Sequence, residues 1–228
     1  MGGKGIGGCG DGVPRLIRMT AGEGRGTGRA VLRFVSAVLI TSGVLLLADA
    51  GVTLAWQEPV SSVLARIQQG ELEDELADPP QRVIDRKPLR GDAIGEIRMP
   101  TIGKRYFVVE GTDAANLRKG PGHYRDTPLP GERGTVAIAG HRTTYLAPFR
   151  DIDKLKRGDR VVVDMPYGRF TYRVEKQQIV DPTKTGVKRK VAYDRLIMTA
   201  CHPLYSAAQR IVVFARFEKR EPARVGRS

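Results

Sequence analysis

The sequence predicts an all-β domain, an antiparallel barrel or sandwich, carried behind one N-terminal membrane-crossing helix. Three observations lead there. Seven short segments rich in Val, Ile, Thr, Tyr and Phe recur between residues 92 and 218, separated by turn residues. Residues 34–56 form an apolar stretch whose single ionisable group is Asp49. Lys4, Arg15, Arg18, Arg25, Arg29 and Arg33 precede that stretch, whereas Gln57 and Glu58 follow it.

Residues 1–33 are rich in Gly and Arg and show no hydrophobic period, which predicts a basic, disordered cytoplasmic tail. Residues 34–56 are long enough to cross a bilayer, which needs roughly 20 apolar residues. The basic flank places the N-terminus in the cytoplasm and everything after Trp56 outside, with Trp56 at the interface. A cleaved signal peptide is an alternative, because Ala48-Asp49-Ala50 has the small-x-small form that a signal peptidase accepts. Against cleavage, the apolar run resumes through Val52, Leu54 and Ala55.

Residues 57–91 are expected to be an extracellular spacer. Val60, Val63, Leu64 and Ile67 fall on one face of a short helix that Gly70 should interrupt. The acidic cluster Glu71, Glu73, Asp74, Glu75 and Asp78 is then solvated, and Pro79-Pro80 ends any helix. Strands are predicted at 93–99, 105–110, 134–139, 160–165, 169–180, 196–201 and 210–218, with a helical turn within 146–155. Residues 219–228 read as a basic tail.

Charge narrows the function. The formal net charge is +13, and residues 92–228 carry +12 of it. Such a domain is drawn to polyanions: nucleic acid, an anionic leaflet or acidic wall polymers. Placement outside the membrane disfavours nucleic acid. Cys9 and Cys201 lie at opposite ends of the chain, so they supply neither a disulfide framework nor a thiolate cluster for zinc, and no metal is expected.

Three strand ends carry chemistry. Val136-Ala137-Ile138-Ala139-Gly140-His141 ends in an imidazole, Leu196-Ile197-Met198-Thr199-Ala200-Cys201 ends in a thiol, and Arg210-Ile211-Val212-Val213 opens with a guanidinium. A scaffold can hold such groups at its rim and keep them accessible. A thiolate attacks a peptide carbonyl to form a thioester, an imidazole moves protons, and arginine holds an oxyanion without deprotonating. Singly, each has a plain reading: a buried small residue, a turn histidine, a strand-capping arginine.

Together, Ala-Gly-His-Arg at 139–142, Thr-x-Cys at 199–201 and an arginine nine residues after the cysteine resemble the sortases. The resemblance covers roughly 92–218. Ala-Gly-His-Arg-Thr-Thr-Tyr (139–145), Cys-His-Pro (201–203) and Ser-Ala-Ala-Gln-Arg (206–210) are most similar to class E sortases of high-GC Gram-positive bacteria. The family usually has threonine directly before the cysteine, where this chain has Ala200.

The resemblance implies an eight-stranded β-barrel and a cofactor-free cysteine transpeptidase, with Cys201, His141 and Arg210 as catalytic residues. It implies cleavage of a Leu-Ala-x-Thr-Gly or Leu-Pro-x-Thr-Gly sorting signal between Thr and Gly. The partners would be secreted proteins bearing that signal and an amine of a cell-wall precursor. Tyr145, Thr199, Ala200 and His123 are expected near substrate, while His202 is expected to be structural or orienting. A pilus-polymerising sortase that uses a pilin lysine is an alternative. A non-catalytic, membrane-tethered basic β-domain that binds wall polymers is another.

Overall fold

The computed structural model describes residues 24–56, 59–189 and 191–223, and the chain divides into two units, Met1–Ala50 and Gly51–Ser228. Most of the expected N-terminal tail, with Cys9, lies outside the described residues, as does the end of the expected C-terminal tail. Helix α1 spans Gly24–Trp56, so it takes in ten residues that the sequence assigns to the tail. Helix propagates more cheaply than it nucleates, and the apolar run supplies the nucleus. Within α1, Gly28–Val52 has a mean hydropathy of 2.2 and is long and apolar enough to cross a membrane. Its leucines are bare: Leu46 is 70% and Leu47 75% exposed.

In the second unit, α2 spans Pro59–Ala77 and continues through Gly70, where a β-carbon would meet nothing within 4 Å. The expected apolar face is not the one that packs. Val63, Leu64 and Ile67 are exposed, whereas Ser61, Ala65 and Leu72 are buried, a stripe at helical spacing whose small residues permit close approach. Between them, Gln69 performs a strand's work. Its amide nitrogen donates to the Phe107 and Lys119 carbonyls (3.0 and 2.8 Å), and its amide oxygen accepts from the Phe107 N–H (2.8 Å). This satisfies backbone groups on a strand that is only partly paired on that side.

A short helix α3 (Gln81–Ile84) leads into the barrel. Arg82 on it binds the Asp92 carboxylate through two nitrogens (2.7 and 2.8 Å) and holds that carboxyl below the ordinary carboxylate range. The strands are β1 (Ala93–Met99), β2 (Lys104–Glu110), β3 (Gly122–His123), β4 (Thr135–Ala139), β5 (Arg160–Met165), β6 (Gly168–Val180), β7 (Arg195–His202) and β8 (Gln209–Glu221). Helix α4 (Ala114–Lys119), capped by the Asp113 side chain, connects β2 to β3. A single 3-10 turn, Ile152–Lys154, answers the helical turn expected within 146–155.

The sheet closes in the order β1-β2-β3-β4-β7-β8-β6-β5, with β5 returning to β1. Two neighbouring pairs, β2–β3 and β4–β7, are parallel and the rest antiparallel. Alternation along each strand fills the interior. Leu196, Met198 and Ala200 of β7 and Ile211, Val213 and Ala215 of β8 enter the main core. Ile197 of β7 and Val212 and Phe214 of β8 form a second cluster on the opposite face with Ala137 of β4. Closure leaves no long free edge among the described strands.

Candidate active site

Strand β4 and strand β7 run side by side in parallel, with Ala139 opposite Thr199. The Gly140 N–H extends the ladder by donating to the Thr199 carbonyl (3.0 Å). Two residues beyond the last pair come His141, past the end of β4, and Cys201, still within β7. On the far side of β7, Cys201 is paired with Arg210 across the antiparallel ladder to β8. Register therefore brings Cys201 and Arg210 to one level on β7 and β8, with His141 two residues past the end of the neighbouring β4.

Glycine before the histidine is dictated by packing. A β-carbon at Gly140 would lie 2.6 Å from the Phe149 ring, and Phe149 is fully buried. The Phe149 N–H donates to the His141 carbonyl (3.0 Å), so the same residue that demands glycine also anchors the histidine. Burial, reinforced by the Arg118 charge, holds the His141 pKa below its ordinary value and favours the neutral imidazole. Tyr145 packs beside it, with ring centroids 5.2 Å apart, and the Arg118 guanidinium lies 5.8 Å from the tyrosine ring. Tyr145, Leu146 and Ala147 all have positive φ (50°, 63° and 43°), strained backbone gathered next to the imidazole.

Cys201 is half-buried and is the free cysteine of the described residues. Arg210 donates from Nη1 to the Ala207 and Gln209 carbonyls (3.0 Å each), folded onto its own loop. Its present partners are neutral carbonyls, which an anion can displace.

The remaining predicted residues are placed differently. Ala200 is 4% exposed and points into the core, so its side chain is turned away from Cys201's face. Thr199 shares the face of Cys201 but is buried, its hydroxyl 3.3 Å from the Tyr124 hydroxyl. His123 is 1% exposed and part of β3. Its Nδ1 lies 2.8 Å from a Glu110 carboxylate oxygen and its Nε2 3.0 Å from the Pro128 carbonyl, a buried network with no ring edge left for substrate. Among the described residues no cluster of three or more His, Cys, Asp or Glu is arranged to hold a metal ion.

One residue that sequence reasoning passed over is central to the geometry. The side chain of Arg142 is 2% exposed. Its Nε donates to the Arg150 carbonyl (3.2 Å), and its Nη2 pairs with the Asp153 carboxylate (2.9 Å). Its Nη1 reaches the Cys201 carbonyl (3.5 Å) and His202 Nδ1 (3.1 Å). Guanidinium has only donors, so His202 Nδ1 accepts and the ring proton sits on Nε2. The signal for it was its place beside His141 inside Ala-Gly-His-Arg.

Comparison with known proteins shows the family. The family model described as the sortase domain matches residues 97–218, more than half of the chain. The chain belongs to the sortase family. Sortase D of Bacillus subtilis (strain 168) is 37% identical over 134 residues, an alignment covering 57% of this chain and 66% of that relative, just short of two thirds of its length. Sortase SrtE2 of Streptomyces coelicolor is 28% identical over 234 residues, covering 89% of each. Among solved structures, sortase E from Streptomyces avermitilis superimposes with a TM-score of 0.55 at 32% identity, covering 59% of this chain and 93% of that one. The closed eight-stranded barrel is the sortase fold, of the class E-like kind, and members of this family are transpeptidases.

Proposed function

We propose that the chain is a membrane-anchored cysteine transpeptidase that exchanges a peptide bond of a sorting signal for a bond to a cell-wall amine. The observation that supports it is the Cys201–Arg210 pair across β7 and β8, with His141 just past the end of β4 on the other side of β7. The Cys201 sulfur attacks the threonine carbonyl of a Leu-Ala-x-Thr-Gly or Leu-Pro-x-Thr-Gly signal, and His141, favoured as the neutral base, takes the thiol proton. Arg210 turns from the neutral carbonyls of its loop to the developing oxyanion, a charged and stronger acceptor. As the C–N bond breaks, His141 gives its proton to the departing glycine amine, leaving threonine as a thioester on Cys201. The wall amine then adds to the thioester carbonyl, loses a proton to His141, and the C–S bond breaks to restore the thiol. Helix α1 supplies the anchor.

Mass spectrometry of the full-length protein in detergent tests this reading. Incubation with each peptide should add the threonine-terminated acyl fragment to the wild-type chain and nothing to Cys201→Ala. Arg210→Ala should slow acylation by about 10²–10³. Absence of an adduct with both peptides, or activity surviving in Cys201→Ala, overturns the proposal and favours a non-catalytic wall-binding domain.

A further inference from the structure

We propose that a basic groove on the barrel face of Cys201 binds an acidic stretch of the protein substrate, roughly six residues from the carbonyl under attack. This rests on the acyl-transfer reading and names a feature of the substrate that reading leaves open. The groove, of ≈ 580 Å³, lies between β6, β8 and the connection from β6 to β7.

Strand register ties it to the thiol. Across β7, β8 and β6, Cys201 pairs with Arg210 and Arg210 with Val180. The next row on this face is Thr199, Val212 and Gln178, and the one below it is Ile197, Phe214 and Lys176. Val180, Gln178, Phe214 and Lys176 all line the groove, so it begins on the catalytic row and descends along the same face. Arg195, six residues before Cys201 on β7, closes the far end. At about 3.3 Å per residue that is on the order of 20 Å, the span of six residues of an extended peptide.

Charge along the groove selects the occupant, with Lys176 two rows below Cys201 and Arg195 at the far end. Lys176, Lys184, Arg189 and Arg195 line the groove, and no carboxylate does among the described residues. Lys176 and Arg195 both approach the Phe214 ring, each 5.2 Å from its centroid. Arg195 is buried and also holds the covering connection, donating to the Val187 and Arg189 carbonyls (2.9 and 3.0 Å). Lys176, Lys184 and Arg189 have no carboxylate within 4.0 Å among the described residues. An occupant that touches both Cys201 and these cations is extended, crosses an apolar floor at Val180 and Phe214, and ends in negative charge. A peptide carrying Asp or Glu has that form.

The test uses the full-length protein in detergent and three fluorogenic peptides sharing one sorting motif. One carries three aspartates on the N-terminal side, one carries them on the C-terminal side, and one carries serines instead. At low salt, one aspartate peptide should show a KM about fivefold below the serine peptide, with kcat unchanged. The advantage should vanish in 1 M salt, where the Debye length is about 3 Å. Lys176→Glu with Lys184→Glu, both exposed positions, should abolish or reverse the ratio between the peptides. Equal KM for all three peptides at low salt overturns the proposal, as does a preference that survives the charge reversals. A charge-dependent KM for the amine acceptor alone also overturns it, assigning the groove to the other substrate. Acylation of Cys201 by the serine peptide is the control that separates these failures from failure of the acyl-transfer reading.

Discussion

At the scale of single residues, the ionisation of His141 links geometry to a rate. Burial and the Arg118 charge both disfavour the imidazolium. If neutral His141 accepts the thiol proton, kcat/KM rises with pH through the His141 pKa, and the acid limb of the profile lies below the ordinary histidine value of about 6.5. Arg118→Gln removes the like charge and leaves burial in place. The His141 pKa then rises, the acid limb moves to higher pH, activity at pH 6 falls, and activity at pH 8 changes little. NMR titration of the His141 ring alongside the pH–rate profile checks this, and an acid limb that stays put contradicts it. Sequence showed these residues unevenly. His141, Cys201 and Arg210 were legible because each ends or opens a run of β-formers. His123 was not, because Gly-Pro-Gly before it reads as a turn while the fold uses it in β3 against Glu110. The departure at Ala200 looked like a change at the substrate surface, but one step of strand alternation turns that side chain into the core.

Between elements, register does most of the positioning and Arg142 secures it. Seven of the eight strands were readable from composition, since half-buried strands advertise themselves by alternation. Their pairing was not: β4 meets β7 across some 60 residues of chain, and no local signal announces a parallel neighbour. Arg142 draws on that same long-range pairing, reaching 59 and 60 residues to Cys201 and His202 while Asp153 balances its charge. Arg142→Met keeps most of the volume and removes every donor. It should lower kcat about 10²-fold with KM within about twofold, the loss expected when reacting groups drift by roughly 1 Å. Arg142→Lys should recover part of kcat. The nitrogen-15 shifts of the His202 ring should report a fixed Nε2–H tautomer in the wild type and a mixture in Arg142→Met. Wild-type kcat in the methionine variant would show that the strand ends keep register without the guanidinium. Helix α2 teaches the same lesson: sequence favoured its apolar stripe, but the structure buries Ser61, Ala65 and Leu72 and uses Gln69 to complete β2.

For the whole molecule the question is whether α1 crosses a membrane and which side each end then occupies. Six basic residues precede the apolar stretch, and +12 of the net charge follows residue 91, so basic charge flanks both ends. Orientation is decided by short loops close to the span, where the N-terminal flank is basic and the following residues are acidic. The two cysteines make that orientation measurable, since Cys9 precedes α1 and Cys201 lies in the barrel. In intact cells a membrane-impermeant maleimide should label a Cys9→Ala chain through Cys201, while a Cys201→Ala chain stays unlabelled until the cells are lysed. Labelling of the Cys201→Ala chain in intact cells would invert the topology and remove the barrel from any wall amine. The same pair of variants tests cleavage at Ala48-Asp49-Ala50. An intact anchor keeps Cys9 on a chain of 25.0 kDa in the membrane fraction, whereas cleavage sheds Cys9 and leaves the Cys201→Ala chain unlabelled even after lysis.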